Sequence, residues 1–227
     1  MLKPEAILEE MFNSYLIKGE LSGLEFHIRL LDIDKQWKIS HDRVQEVPLN
    51  TAGFEAIVTL SQSTLEKLYS GTLSPITACA RANINDKAPL DFILPEGKKL
   101  DANLYQAMIL FVQRFFNPRL PELLLFGDQF SRQVHGGNVC GLFYSPGFRS
   151  AWYQISPNQQ LNNPGDTNPF PQAFIFIKGS GKVKIGEITQ DINAGQSVYI
   201  PPGTEHICWS SDDEPLELIF LAWGEKA

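Results

Sequence analysis

From residue 151 onward the chain is cut into short apolar runs by turn residues. Ala151 to Ile155, Ala173 to Ile177, Lys182 to Ile188, Ser197 to Ile200, His206 to Trp209 and Leu216 to Trp223 are separated by Gly, Pro and Asn. No helical run lies between them to cover a sheet. Such strands bury their apolar faces by packing on one another, which predicts an antiparallel sandwich or barrel. The second part of the chain is therefore all-β.

Two motifs sharpen this expectation. Gly195-Gln196-Ser197-Val198-Tyr199-Ile200 runs into Pro201-Pro202-Gly203-Thr204-Glu205-His206, a glycine, five residues, then PxGxxH. Phe174-Ile175-Phe176-Ile177-Lys178-Gly179-Ser180-Gly181 precedes it. These segments resemble the second motif and the end of the first motif of the cupins, which implies a small jelly-roll barrel. A typical metal cupin binds its ion through HxHxxxE and one further histidine. Counting back seven from Gly179 puts Gln172 where the glutamate is expected, and Asn168 and Asp166 where the two histidines are expected. Only His206 keeps its family position. The resemblance thus implies a set of Asp166, Asn168, Gln172 and His206. One imidazole, one carboxylate and two amides are a poor transition-metal set, and a hard ion wants more carboxylates. No cofactor is expected; any metal that did bind would use these four residues.

Strand alternation sends Phe174 and Phe176 inward with Gln172, and Cys208 inward with His206. A pocket with aromatic walls and a few amide, carboxylate and imidazole groups suits an organic ligand with one or two polar handles. Gln172, Asn168, Phe174, Phe176 and Cys208 are its expected ligand-binding residues. The alternative is a filled barrel, with His206 hydrogen-bonded to Gln172 or Asp166. His206 has an ordinary pKa of about 6.5, so it can also move protons without a metal, oriented by Asp166. His206 and Asp166 are then the candidate catalytic pair. Cys208 is a possible nucleophile, though a buried cysteine beside aromatics packs as an inert hydrophobe. His135 lies outside the barrel motifs and reads as a turn residue that can approach the mouth.

The first part of the chain has a different rhythm. Ile7, Leu8, Met11, Phe12, Tyr15 and Leu16 recur at helical spacing over residues 4–17, and Gly19 stops them. Leu24, Phe26, Ile28 and Leu30 alternate as a half-buried strand; Trp37 to Ile39 and Phe54 to Leu60 predict two more. Ser63-Thr64-Leu65-Glu66 reads as a capping box, and Ser74-Pro75 as the start of a short helix. A further strand is expected over 81–86, then a helix over 100–116 with a stripe of Leu100, Leu104, Met108, Phe111 and Phe115. The succession Ala56-Ile57-Val58-Thr59-Leu60-Ser61, then Leu65-Glu66-Lys67-Leu68-Tyr69-Ser70-Gly71-Thr72-Leu73-Ser74-Pro75-Ile76-Thr77-Ala78, resembles the sterol carrier protein-type lipid-binding domain. There a strand leads into a helix and an SGxLxP turn into a second helix. The segment Arg81-Ala82-Asn83-Ile84-Asn85-Asp86 departs from the family pattern in lacking its glycines. The resemblance implies an α+β domain, a sheet covered by helices around an apolar tunnel for acyl chains. The alternative is that the same stripes fill a solid core. Residues 1–118 are thus expected to form the sterol-carrier-like domain and 151–227 the cupin barrel. Residues 119–150 are expected to connect them and pack on the cupin, with a strand over Val139 to Tyr144 and a turn at Ser145-Pro146-Gly147.

Composition narrows the partners. The 227 residues carry 19 basic and 26 acidic groups, a net charge of −7. Neither nucleic acid nor an anionic lipid surface finds a basic stripe to bind. No apolar run approaches the ~20 residues of a membrane span. The start, Met1-Leu2-Lys3-Pro4-Glu5 with Glu9 and Glu10 close behind, is not that of a secretory signal. The 3 cysteines, Cys79, Cys140 and Cys208, are far apart and form no disulfide framework. A cytoplasmic location and a homo-oligomer, most simply a homodimer, are expected. The leading expectation is a two-domain protein that binds a hydrophobic small molecule or lipid. The alternative is a cupin enzyme on an apolar substrate in a specialised biosynthetic pathway, a metal-independent acid–base isomerase, cyclase or dehydratase or, failing that, a metal-dependent enzyme. A scaffold with both pockets filled is the third.

Overall fold

The computed structural model describes residues 2–19, 24–82, 85–211 and 213–227. The chain separates into two compact units, Met1–Cys79 with Asn85–Leu125, and Ala80–Ile84 with Phe126–Ala227. Among the described residues no helix is long and apolar enough to cross a membrane.

The first unit is α+β. Its elements are α1 (Pro4–Lys18), β1 (Phe26–Leu30), β2 (Lys35–Ile39), β3 (Val44–Val47), β4 (Ala56–Leu60), α2 (Gln62–Ser70), α3 (Pro75–Cys79), β5 (Leu90–Ile93) and α4 (Ala102–Phe115). The sheet order is β3-β2-β1-β4-β5, with β1 and β4 parallel and every other pair antiparallel. Alternation puts Phe26, Ile28 and Leu30 on the face that also carries Trp37, Ile39, Ala56, Val58 and Leu60. These residues form one core with Tyr15 of α1 and Phe111 and Phe115 of α4. Phe111 stacks on Phe26 with ring centroids 4.3 Å apart and on Phe115 at 5.1 Å.

Three local expectations are corrected. Helix α2 starts earlier than the capping box implied. Ser61, extended at φ −88° and ψ 161°, is the cap and accepts from the Thr64 amide. Asp32 accepts from the Gln62 amide at 2.9 Å, so a second orphan donor is satisfied before Ser63 is reached. Leu100 precedes α4 and is exposed, because Asp101 caps that helix by accepting from the Leu104 amide at 2.8 Å. Of the strand expected over 81–86, Asn83 and Ile84 lie outside the described residues, and Arg81, Ala82, Asn85 and Asp86 are not strand. The fifth strand is instead Leu90–Ile93, where Leu90 opposes Leu60 and is fully buried.

Among its described residues the second unit is all-β apart from one 3₁₀ turn, Asp128–Phe130. Its strands are β6 (Arg132–Val134), β7 (Gly137–Ser145), β8 (Phe148–Ile155), β9 (Gln160–Leu161), β10 (Gln172–Lys178), β11 (Ser180–Ile185), β12 (Ile188–Asn193), β13 (Ser197–Ile200), β14 (His206–Ser210) and β15 (Leu216–Trp223). They form a six-stranded sheet, β13-β10-β15-β8-β7-β6, and a four-stranded sheet, β12-β11-β14-β9. The run expected as one strand over 182–188 is two, because Gly186 at φ 58° turns β11 back into β12. The stretch expected as a connector supplies β6, β7 and the start of β8. Phe174, Phe176, Val183, Ile192, Cys208, Leu216 and Leu218 fill the space between the sheets.

The Gly-Ser-Gly that ends the first motif has a steric reason. Between β10 and β11 the chain passes from one sheet to the other. A Cβ on Gly179, at φ 80°, would strike the Pro215 carbonyl, and one on Gly181 would strike the Trp209 carbonyl. Only glycine lets the backbones approach this closely.

Candidate functional site

Cross-strand register builds a cavity at one end of the second unit. The inward positions of the large sheet form rows. The outermost row is Gln172 of β10, Ala222 of β15, Arg149 of β8 and Tyr144 of β7. The next is Phe174, Phe220, Ala151 and Gly141, and the one below is Phe176, Leu218, Tyr153 and Val139. Polarity therefore falls from mouth to floor. Alanine and glycine in the second row leave room that larger side chains would fill. The result is a cavity of about 300 Å³, at the small end of the ~300–1,000 Å³ range of ligand pockets. The large sheet contributes Tyr144, Arg149, Tyr153, Gln172, Phe174 and Phe220 to its wall. The 162–170 loop adds Asn162, Asp166, Thr167, Asn168 and Phe170; Leu161, His206 and the turn residue His135 complete it.

His206 is 1% exposed and sits at the start of β14. Its Nδ1 lies 3.0 Å from the Thr204 carbonyl. A carbonyl only accepts, so Nδ1 carries the proton and, in the neutral ring, Nε2 is the acceptor. Gln172 Nε2 approaches that lone pair at 3.5 Å, a weak hydrogen bond. Gln172 faces His206 with its amide NH₂ because its Oε1 accepts from Asn168 Nδ2 at 3.2 Å. The Phe174 ring closes edge-on to the imidazole, with centroids 5.9 Å apart. Burial pushes the His206 pKa below its ordinary value. The Thr204 carbonyl, Asp166 and Glu205 act in the opposite direction without reversing it.

The carboxylates nearby are occupied. Asp166 Oδ2 accepts from the Asn163 amide at 2.7 Å. Glu205 accepts from the Gly165 amide at 2.6 Å and pairs with Lys184 at 2.6 Å; the hydrogen bond from Lys184 holds its carboxyl below the usual range. The expected orientation of His206 by Asp166 is thus corrected. The Thr204 carbonyl holds the imidazole, and Asp166 holds its own loop.

These donors are a poor match for a metal of the kind cupins bind. Gln172 presents N–H groups, not its oxygen, to the His206 lone pair, and cations do not bind amide N–H. Asn168 donates through Nδ2 to Gln172 and Asp166 accepts the Asn163 amide on Oδ2, which leaves one amide oxygen and one carboxylate oxygen beside a single imidazole, too few and too hard a set for a transition metal. Among the described residues no three His, Cys, Asp or Glu side chains come together in a metal-binding group. The residues present do not fit a transition metal.

Of the residues singled out from sequence, Asp166, Asn168, Gln172, Phe174 and His206 come together on the cavity wall. Phe176 and Cys208 do not line it. They point inward as expected, but deeper, in the packed core. Burial pushes the Cys208 thiol up to about 12, so it is an inert filler and not a nucleophile at neutral pH. Sequence reasoning missed Arg149, Tyr144 and Tyr153. The signal was present for Arg149: extending the Ala151 to Ile155 strand back by two residues gives Arg149, Ala151, Tyr153 and Ile155 one face.

Arg149 is the cationic group of the wall. Its guanidinium lies 5.2 Å from the Phe170 ring centre and 5.6 Å from that of Tyr144. Tyr153 stands edge-on to Phe220 at 6.2 Å, and burial raises its hydroxyl pKa well above the ordinary value, so it remains a neutral donor.

Comparison with known proteins bears on this unit alone. Residues 153–222 match the family described as Cupin domain. A cupin-2 domain protein from Rhodospirillum rubrum is similar at 17% identity over 41% of this chain, with a TM-score of 0.37; the chain spans 63% of that protein's length. A cupin 2 conserved barrel domain protein from Salinispora arenicola is 20% identical over 45% of this chain and 88% of its own, with a TM-score of 0.41. A protein from Photorhabdus luminescens is 17% identical over 45% and 88%, with a TM-score of 0.42. No curated protein matches the chain significantly. The C-terminal region, residues 153–222, is a cupin domain.

Proposed function

We propose that the cupin domain binds a small organic molecule without a transition metal. The observation that carries this reading is the graded cavity, with Gln172 and Arg149 in its outer row and Phe174 and Phe220 in the next. An apolar body can enter among the rings while a polar group stays at the mouth. The donor chemistry around His206 supports the metal-free part.

In this reading His206 is an anchor first: a ligand O–H or N–H takes over from the weak Gln172 contact at its Nε2 lone pair. The same lone pair favours acid–base chemistry as the second reading, since a neutral imidazole facing a cavity is a base in its working form. The first unit enters as a lipid or acyl-chain domain through its resemblance to the sterol carrier proteins. Its strand–helix–turn–helix succession supports that, but the rings of Phe26, Phe111, Phe115 and Phe116 pack on one another and favour a filled core over an open tunnel.

Native mass spectrometry and elemental analysis of protein purified without added metal test the proposal together. The expected result is a retained organic mass that leaves on denaturation, with no transition metal. One equivalent of iron, manganese, nickel, copper or zinc per chain would overturn the metal-free reading. A bare chain that also binds nothing in a fragment screen would identify the cavity as a packing defect.

A further inference from the structure

We propose that the outer face of the four-stranded sheet is a second binding site, for a neutral saccharide stacked on Trp209. It is separate from the inner cavity, with which it shares no lining residue.

Strand alternation builds the platform. Val183, Ile192 and Cys208 point into the core, so their neighbours point away from it. Cross-strand register aligns those neighbours as one row over four strands, Gln160, Trp209, Lys182 and Asp191. The Trp209 ring is partly exposed there. Its Nε1 donates to Gln160 Oε1 at 3.1 Å, and Gln160 Nε2 donates to the Asn162 carbonyl at 2.9 Å. An amide engaged at both ends thus holds the indole in one orientation.

Beside the ring lies a groove of about 640 Å³, inside the ~300–1,000 Å³ range of ligand sites. Its walls are tied together by backbone. The Ser210 amide donates to the Gln159 carbonyl at 3.3 Å, and the Ser211 amide to the Ser180 carbonyl at 2.9 Å.

The lining selects the ligand. Among its described residues Trp209 and Ile192 are the large apolar side chains, and Ile192 is 2% exposed. An apolar molecule therefore finds one ring and no enclosure. An anion meets Asp191 and Asp213, and the lining cation, Lys182, lies 3.7 Å from Asp191. A neutral, hydroxyl-rich molecule finds more. Among the described residues the side-chain amides of Asn158, Gln159 and Asn193 make no hydrogen bond. Each sets donors beside an acceptor, a pattern that neighbouring hydroxyls complement. Ser211, also on the lining, has a buried Oγ with no partner among the described residues, a cost that a bound hydroxyl offsets. A pyranose has C–H groups on one face and hydroxyls around its rim. The face stacks on the indole, and the rim meets the amides.

The test uses the full chain and titrates maltotriose, cellotriose and mannotriose, with trigalacturonate as the anionic comparison, by saturation-transfer NMR and calorimetry. At least one neutral trisaccharide is expected to bind, at least tenfold more tightly than trigalacturonate. Trp209→Ala should weaken that binding tenfold or more, and Trp209→Phe, which keeps a flat face, should recover part of it. Gln159→Ala alters an exposed side chain; it should melt as the wild type does and bind several-fold more weakly. Binding of none of the three neutral probes by the wild type would overturn the site, as would a preference for the anion. So would wild-type affinity in both Trp209→Ala and Gln159→Ala, which would put the sugar elsewhere on the protein.

Discussion

The environment of His206 gives it a pH signature. Burial holds its pKa below the ordinary value of ~6.5, so the unfolded chain takes up a proton at a higher pH than the folded one. Stability from this site is complete above about pH 6.5 and falls as the pH drops from there toward the folded pKa. His27, fully buried in the first unit and also shifted down by burial, has the same sign. Melting of the wild type at pH 7.5 and 5.5 should show a loss at the lower pH, and His206→Gln should remove the part that belongs to the cupin domain. Identical losses in both proteins would mean that His206 is protonated without cost and that the neutral-acceptor assignment is wrong. Half of this site was legible in sequence, and the reason is physical. Asp166, Asn168 and Gln172 sit at fixed offsets from Gly179, which backbone crowding holds as glycine, and His206 sits three residues after Gly203, a turn glycine at φ 71°. Arg149 and Tyr144 reach the wall only through pairing with β15 and with each other's strand, and a long-range register leaves no mark in local spacing.

Elements were read well where apolar period or Pro/Gly punctuation decided them, and less well where a cap did, since Ser61 and not Ser63 caps α2. The helix starting at Pro4, the strand ending at Leu60 and the turn at Ser145-Pro146-Gly147 all follow from local chemistry. The described residues of the span expected as a strand, Arg81, Ala82, Asn85 and Asp86, are mostly polar and form none, whereas Leu90 and Phe92 bring apolar side chains to the first core. What ties those elements together is less visible from sequence, and Lys18 shows it. The last residue of α1 has a side chain only 3% exposed. Its ammonium donates to the Arg114 carbonyl at 2.8 Å and to the Asn117 carbonyl, and it lies 3.3 Å from Glu122. It therefore satisfies the carbonyl end of α4 from another helix, where a cation is also favoured by the helix dipole. Burial lowers its pKa, with Glu122 acting to keep it charged. Lys18→Met should cost about 3 kcal/mol, the lower end for breaking a buried pair, because Arg114 still pairs with Glu122 at 3.1 Å. Urea unfolding of the two proteins measures this; a change within ~0.5 kcal/mol would show that the charge is replaceable by packing alone.

At the scale of the molecule, the chain carries two main cores with no residue in common. One runs from Ile7 to Phe116 and the other from Ile155 to Leu218. A core is what makes unfolding cooperative, so two separate cores predict two transitions where a chain of this length with one core would show one. Differential scanning calorimetry with the two substitutions separates them. Lys18→Met acts within the first core's helices and should lower only one transition, on the order of 10 °C or more for a unit of roughly 100 residues. His206→Gln acts within the cupin domain and should change the acid sensitivity of the other transition alone. In the double variant the two effects should appear side by side and unchanged, because sites that share no partner contribute additively. A single transition shifted by both substitutions, or a shift in the double variant that departs from the sum by more than ~0.5 kcal/mol, would show that the two cores fold as one and that the cupin domain's stability is not its own.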